Sequence, residues 1–229
     1  MSDFLVFQQV SRIYRQGPHE VRALEGLDLT LGQGEFACVA GPSGSGKSTL
    51  LNLAGALDRP SRGTIFLAGR EISRLSRREG ALLRRHAIGF VFQQFNLVEV
   101  LTAAENIEYV LLLQGVAPPA RRKRVAGLLE AVGLAGLGDR LPAELSGGQQ
   151  QRVAVARALA SSPALVLADE PTANLDSRSG MAVMELLRSI NRSHGTTFLF
   201  SSHDPRIIGY ADRVIHLVDG RLAKDGETA

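Results

Sequence analysis

The apolar positions change their period along the chain. Leu27, Leu29 and Leu31 alternate with Asp28 and Thr30, the period of two expected of a half-buried strand. Phe4–Val10 predicts a strand ahead of it. Phe36–Ala40 and Leu165–Ala168 are unbroken apolar runs, the pattern of strands covered on both faces of a parallel sheet. Thr64–Leu67, Ile88–Phe92, Thr197–Phe200 and Val214–Leu217 predict further short strands, with Gly32-Gln33-Gly34 and Asp219-Gly220 as turns. From about Leu101 to Pro163 the strand signal disappears. Ala103–Gln114 and Arg121–Val132 read as helices separated by Gly115-Val116-Ala117-Pro118-Pro119, and Thr102 with Glu105 has capping-box spacing. After Pro163 the alternation of strand and helix returns, with Met181, Met184, Leu187 and Ile190 on one helical face. The pattern predicts an α/β core interrupted by a helical lobe.

Composition narrows the class. The chain has 229 residues, 45% of them hydrophobic and 21% charged, ordinary for a globular protein with a sizeable core. No apolar run reaches the length needed to cross a bilayer, and Met1-Ser2-Asp3-Phe4 lacks the basic-then-apolar pattern of a secretory leader. Cys38 is the only cysteine, so no intrachain disulfide forms, which suits a reducing cytoplasm. Its apolar surroundings predict a small buried residue. A formal charge of +3 is mildly basic, without the concentrated basic face expected of a nucleic-acid binder. The densest basic cluster is Arg121-Arg122-Lys123-Arg124, at the expected start of a helix. It reads either as a solvated first turn and flank or as a contact to anionic lipid; such charge opposes the helix dipole there.

Candidate chemistry centres on Gly41-Pro42-Ser43-Gly44-Ser45-Gly46-Lys47-Ser48-Thr49, which has the spacing of a phosphate-binding P-loop. An apolar strand runs into it and a helix runs out. The glycines let successive N–H groups curl round an anion, and the helix N-terminus adds positive potential. Lys47 would reach the β- and γ-phosphates, and the Ser48 hydroxyl would ligate Mg²⁺. Asp169-Glu170 close the apolar run at Leu165–Ala168. With that strand expected beside the P-loop strand, Asp169 would serve the metal and Glu170 would activate or position water. Leu145-Ser146-Gly147-Gly148-Gln149 opens another helix, one carrying Arg152 and Arg157. Ser146 has capping-box spacing to Gln149. A plain cap has no need of two glycines, which are poor helix formers, whereas bare N–H groups at a helix tip receive a phosphate.

These motifs, in this order and over nearly the whole chain, resemble the nucleotide-binding subunit of ABC transporters. Gly41–Thr49 matches the Walker A motif, Leu145–Gln149 the LSGGQ signature, and Leu165–Glu170 the Walker B strand with its catalytic glutamate. Gln93 matches the Q-loop glutamine, which senses Mg²⁺. Ala173–Asp176 resembles the D-loop, and Ser202-His203-Asp204 the switch region, with His203 toward the γ-phosphate. Tyr14 matches the aromatic that stacks on adenine. The resemblance implies a P-loop NTPase core of RecA-like type over 1–95 and 163–229, with an N-terminal antiparallel β subdomain and an inserted helical signature lobe over 96–162. It implies ATP and Mg²⁺ as ligands, and hydrolysis by in-line attack of water with Glu170 as base. It also implies a head-to-tail homodimer in which Ser146, Gly147 and Gly148 of one copy meet the phosphates held by Lys47 of the other.

Within that family, Gly63–Ile72, Leu82–Arg85, Gly89–Gln93 and Leu101–Ile107 resemble the MacB, LolD and FtsE group. Its ATPases serve macrolide or peptide export, lipoprotein release and cell division. The resemblance implies peripheral attachment to the cytoplasmic face of the plasma (inner) membrane. It also implies a separate permease subunit, since the chain ends at Ala229, and a helix of that permease would lie in a groove near Phe95, Leu97, Val98 and Val100. The alternative is an ABC ATPase that regulates cell-wall hydrolases through a membrane partner and transports nothing. A soluble DNA-repair or translation ATPase is disfavoured, because no zinc module, coiled-coil arm or second cassette is visible.

Overall fold

The computed structural model describes residues 3–17 and 19–223. Met1 and Ser2, which belong to the N-terminal stretch read above for a leader, and the C-terminal Ala229 lie outside them. Two sheets organise the chain. The first is antiparallel, in the order β2(His19–Gly32), β1(Asp3–Gln16), β4(Arg62–Leu67), β5(Arg70–Glu71). Its alternating leucines face inward: Leu27, Leu29 and Leu31 are buried, while Asp28 and Thr30 are not. The second sheet has the order β10(Arg221–Leu222), β9(Arg213–Val218), β3(Phe36–Ala40), β8(Thr197–Ser202), β7(Leu165–Ala168), β6(Ile88–Val91). All its pairings are parallel except β10 with β9, which closes through the Asp219-Gly220 turn.

This order corrects one expectation. β7 does not neighbour β3, because β8 lies between them and pairs with both. Parallel strands are joined by long crossovers, so their lateral order is free of their order in the chain. All residues of β3, β7 and β8 are buried, including the polar Thr197, Ser201 and Ser202 of β8.

The helices are α1(Lys47–Ala54), α2(Arg77–Ala87), α3(Ala103–Leu113), α4(Pro118–Ala131), α5(Gly147–Leu159), α6(Ser177–His194) and the short α7(Pro205–Ile208). Thr102 caps α3 with the expected capping box to Glu105. α4 begins earlier than its apolar spacing indicated, because Pro118 and Pro119 occupy its first turn, where a missing N–H costs nothing. The basic cluster therefore lies beyond the first turn. Two of its members are engaged internally. Arg121 Nε bonds Glu108 at 2.7 Å, and Arg124 bonds Ser162 Oγ at 2.7 Å. On α6, Met184, Leu187 and Ile190 are buried but Met181 is 40% exposed, and Val183 takes its place on the inner face.

The apolar core lies on the two faces of the six-stranded sheet. One cluster joins Ala37, Val39, Leu165, Leu167 and Leu199 to α1 and the antiparallel sheet. The other joins Cys38, Val166, Phe198 and Phe200 to α5, α6 and the α3–α4 pair. Alternate residues of each strand thus serve opposite cores, the period-two geometry of a strand covered on both sides. Among the described residues no helix is long and apolar enough to cross a membrane.

Candidate active site

The site forms at the carboxyl ends of the parallel strands, where α/β sheets open their crevices. β3 delivers the chain to Gly41, and the loop returns to α1 through Gly46, its N-cap. Gly46 has φ 106°, and a Cβ there would strike the carbonyl of Ala23. Gly41 is equally confined, since a Cβ would strike the carbonyl of Leu217. Two of the glycines thus have reasons in packing as well as in phosphate access. Lys47 is 8% exposed, and its Nζ donates to the carbonyls of Gly41 at 2.8 Å and Pro42 at 2.9 Å, bracing the loop. Ser45 Oγ is buried without a partner.

This loop lines a cavity of about 620 Å³. Pro42, Ser43, Gly44, Gly46, Lys47, Ser48 and Thr49 form its floor, with Val21, Arg22 and Ala23 of β2 on one side. Gln93, Glu170, Ala173 and His203 stand opposite. Residues far apart in sequence but singled out for their chemistry are thereby gathered at one mouth. Glu170 follows β7 in left-handed backbone, φ 44°. His203 follows β8, and its Nδ1 lies 2.8 Å from Glu170 Oε1. Gln93 follows β6, and its carbonyl accepts from Asn174 Nδ2 at 3.0 Å, linking it to the stretch Ala173–Asp176. Asp176 caps α6, and hydrogen bonds from Ser179 hold its carboxyl below the usual aspartate range. Asp204, beside His203, is held low chiefly by its hydrogen bonds from Arg206.

Asp169 does not line that cavity. Its Oδ1 accepts from Ser201 Oγ at 2.6 Å. Tyr14 stands aside too. It pairs across the sheet with Val21, which does line the cavity, while its hydroxyl donates to Asp58 at 2.8 Å and the Arg12 guanidinium lies 4.4 Å from its ring centre. Arg12 covers one face of the ring and so leaves stacking to the other.

Ser146, Gly148 and Gln149 lie in a different hollow, with Arg152, Arg178 and Ser179. Ser146 caps α5 with a full capping box. Gly148 also answers to packing, since a Cβ would come 3.2 Å from Ser179. Phe95 turns toward Gly147, whereas Val98 and Val100 are exposed. The sequence pattern does not single out Ser201, which bonds both Asp169 and the Glu170 N–H. Its only signal was a serine pair closing an apolar strand just before His203.

The oxygen-only donors Ser48, Gln93 and Asp169 suit a hard cation such as Mg²⁺, which fills its shell with water and phosphate oxygens. No group of three or more His, Cys, Asp or Glu side chains able to hold a metal alone occurs among the described residues. Lys47 lines the cavity and uses two of its three ammonium protons on the loop carbonyls, which leaves one for a phosphate oxygen.

A doubly covered parallel sheet with such a loop at its centre defines a P-loop nucleoside triphosphatase fold. The family model described as ABC transporter matches residues 24–173. The chain is 48% identical over 225 residues to the lipoprotein-releasing system ATP-binding protein LolD 1 of Rhodopseudomonas palustris, covering 97% of this chain and 100% of that one. It is 47% identical to the macrolide export ATP-binding/permease protein MacB of Marinobacter nauticus, over 95% of this chain but 34% of that longer one. The structure superposes with a TM-score of 0.90, at 41% identity, on a dimeric ATP-binding cassette in a post-hydrolysis state bound to ADP and Pi, covering 96% and 97% of the two chains. This chain belongs to the ABC transporter family, as an ATP-binding, ATP-hydrolysing subunit of the LolD and MacB kind.

Proposed function

We propose that this chain couples ATP hydrolysis to a separate membrane permease through ATP-driven pairing of two copies. The observation that carries the reading is the convergence of Lys47, Gln93, Glu170 and His203 on one cavity floored by the P-loop. Lys47 and the loop amides hold the β- and γ-phosphates. Glu170 takes the proton of the attacking water as its oxygen bonds the γ-phosphorus and ADP departs. His203, bonded to Glu170, orients it and faces the γ-phosphate. Tyr14 stacks on adenine by its open face. Ser48, Gln93 and Asp169 would hold Mg²⁺, which supplies neutralisation of phosphate charge.

Pairing is supported by the separation of the two half-sites. The Ser146 tip and the P-loop line different hollows of one chain, so a second copy is needed to bring them together. The Ser146 Oγ accepts from the Gln149 N–H but keeps its own proton for a phosphate oxygen. In this reading 1–95 and 163–229 act as the core and 96–162 as the signature lobe, as the mutual packing of α3, α4 and α5 supports. Ser146→Arg tests the pairing. The variant is expected to bind ATP as a monomer but not to dimerise with it in light scattering. Loss of monomer binding would contradict the assignment.

The permease would lie over the hollow of about 430 Å³ between α2, β6 and α3, lined by Ala81, Arg85, Phe90, Phe92, Val110 and Leu113. An amphipathic helix fits such an apolar groove. Attachment to the cytoplasmic face of the inner membrane is supported by charge. Residues 59–86 carry eight arginines against Glu71 and Glu79, while the whole chain is only +3, so the remainder is net acidic. Arg62, Arg70, Arg74, Arg77 and Arg78 in that stretch are exposed.

A further inference from the structure

We propose that Ser201 is a positioning residue for both acids at the end of β7. The inference rests on the roles given above to Asp169 and Glu170 and deepens them. Because β8 lies between the P-loop strand and β7, its carboxyl end runs directly beside Asp169 and Glu170. Ser201, on that end, is fully buried. Its hydroxyl donates to Asp169 Oδ1 at 2.6 Å and accepts from the Glu170 N–H at 2.9 Å.

One hydroxyl has one proton and two lone pairs, and here both kinds of capacity are used on adjacent residues. The proton fixes the rotation of the Asp169 carboxylate and leaves Oδ2 free to face the metal side. The lone pair fixes the peptide that enters Glu170, whose left-handed φ of 44° sets where its carboxylate meets His203. Partners that orient a metal's ligands, without touching the metal, commonly change affinity or activity by about 10–100-fold when removed. Ser201 adds to that a hold on the base. No other side chain among the described residues bonds Asp169 and Glu170 together.

Ser201→Ala removes both bonds at small cost in volume. It is expected to lower kcat by about 10–100-fold while KM for ATP stays within about threefold. A second readout separates positioning from general damage. Affinity for a fluorescent ATP analogue, measured with EDTA and over a Mg²⁺ titration, should be unchanged without metal, and half-saturating Mg²⁺ should rise several-fold. Ser201→Thr, which keeps the hydroxyl, should restore both quantities to within about threefold of the starting protein. Ser201→Cys, close in size but a weak donor, should behave like Ala and stands in if Ala unfolds.

Turnover within twofold of the starting protein for both Ala and Cys, in folded samples, would overturn the proposal. So would an equal loss of nucleotide affinity with and without Mg²⁺, or a folded Thr variant no better than Ala. Glu170→Gln run alongside keeps the two readings apart. Collapse of Glu170→Gln with an active Ser201→Ala removes Ser201 alone; an active Glu170→Gln removes the underlying role of Glu170.

Discussion

His203 Nδ1 and Glu170 Oε1 are 2.8 Å apart across the ends of two strands that adjoin in the sheet but are far apart in the chain. The bond ties the carboxylate to the loop after β8, so the position of Glu170 depends on a residue from a neighbouring strand.

Glu170→Gln keeps the size of the side chain and a hydrogen bond to His203, but it cannot take a proton from water. Hydrolysis is expected to fall by about 10²–10⁴-fold, the usual contribution of a placed base. Nucleotide binding should survive, because the cradle is untouched. ATP should then hold two copies together without release, seen as a persistent dimer on gel filtration. Phosphate release near the starting rate would remove Glu170 from the mechanism.

Charge reversal tests the proposed membrane attachment. Arg74, Arg77 and Arg78 are exposed on or next to α2, whereas Arg121 and Arg124 are committed to internal bonds. Each basic residue near an anionic leaflet contributes about 1 kcal/mol. Replacing the three by Glu should abolish co-sedimentation with phosphatidylglycerol vesicles and leave ATPase activity unchanged. The same protein should ignore neutral phosphatidylcholine. Undiminished sedimentation of the triple variant would place the contact elsewhere.

Cys38 gives a pH dependence with a definite sign. Burial first, then the charge of Glu170, pushes its thiol up to about 12. In the unfolded chain a cysteine titrates near ~8.5. Above that value the unfolded state loses a proton that the folded state keeps. The Cys38 contribution to stability is therefore whole below pH about 8.5 and is lost progressively as pH rises toward 12. Urea midpoints from pH 8 to 10.5 should fall less steeply in Cys38→Ala than in the parent. The native thiol should also resist a disulfide reagent at pH 8 and react on unfolding. Immediate reaction in the native state would contradict the burial.

Much of this was legible from residue pattern alone, for identifiable reasons. β3 and β7 announce themselves as apolar runs, and the boxes at Thr102 and Ser146 are local, so their geometry is written within four residues. α2 carries no apolar helical signature in the sequence. Its exposed arginines hide the period, and Gly80 is its only buried residue. The position of β8 escaped because strand pairing across a sheet is not a property of neighbouring residues. That one misplacement also concealed Ser201, whose meaning depends on which strand lies next to it. Spacing places Met181 inward, but Gly180 and Val183 take the buried positions on either side of it and Met181 turns outward.

Lys47, resting on the carbonyls of Gly41 and Pro42, clasps the two ends of its loop to each other. A receptacle clasped by its own chain has little left to order when a guest arrives.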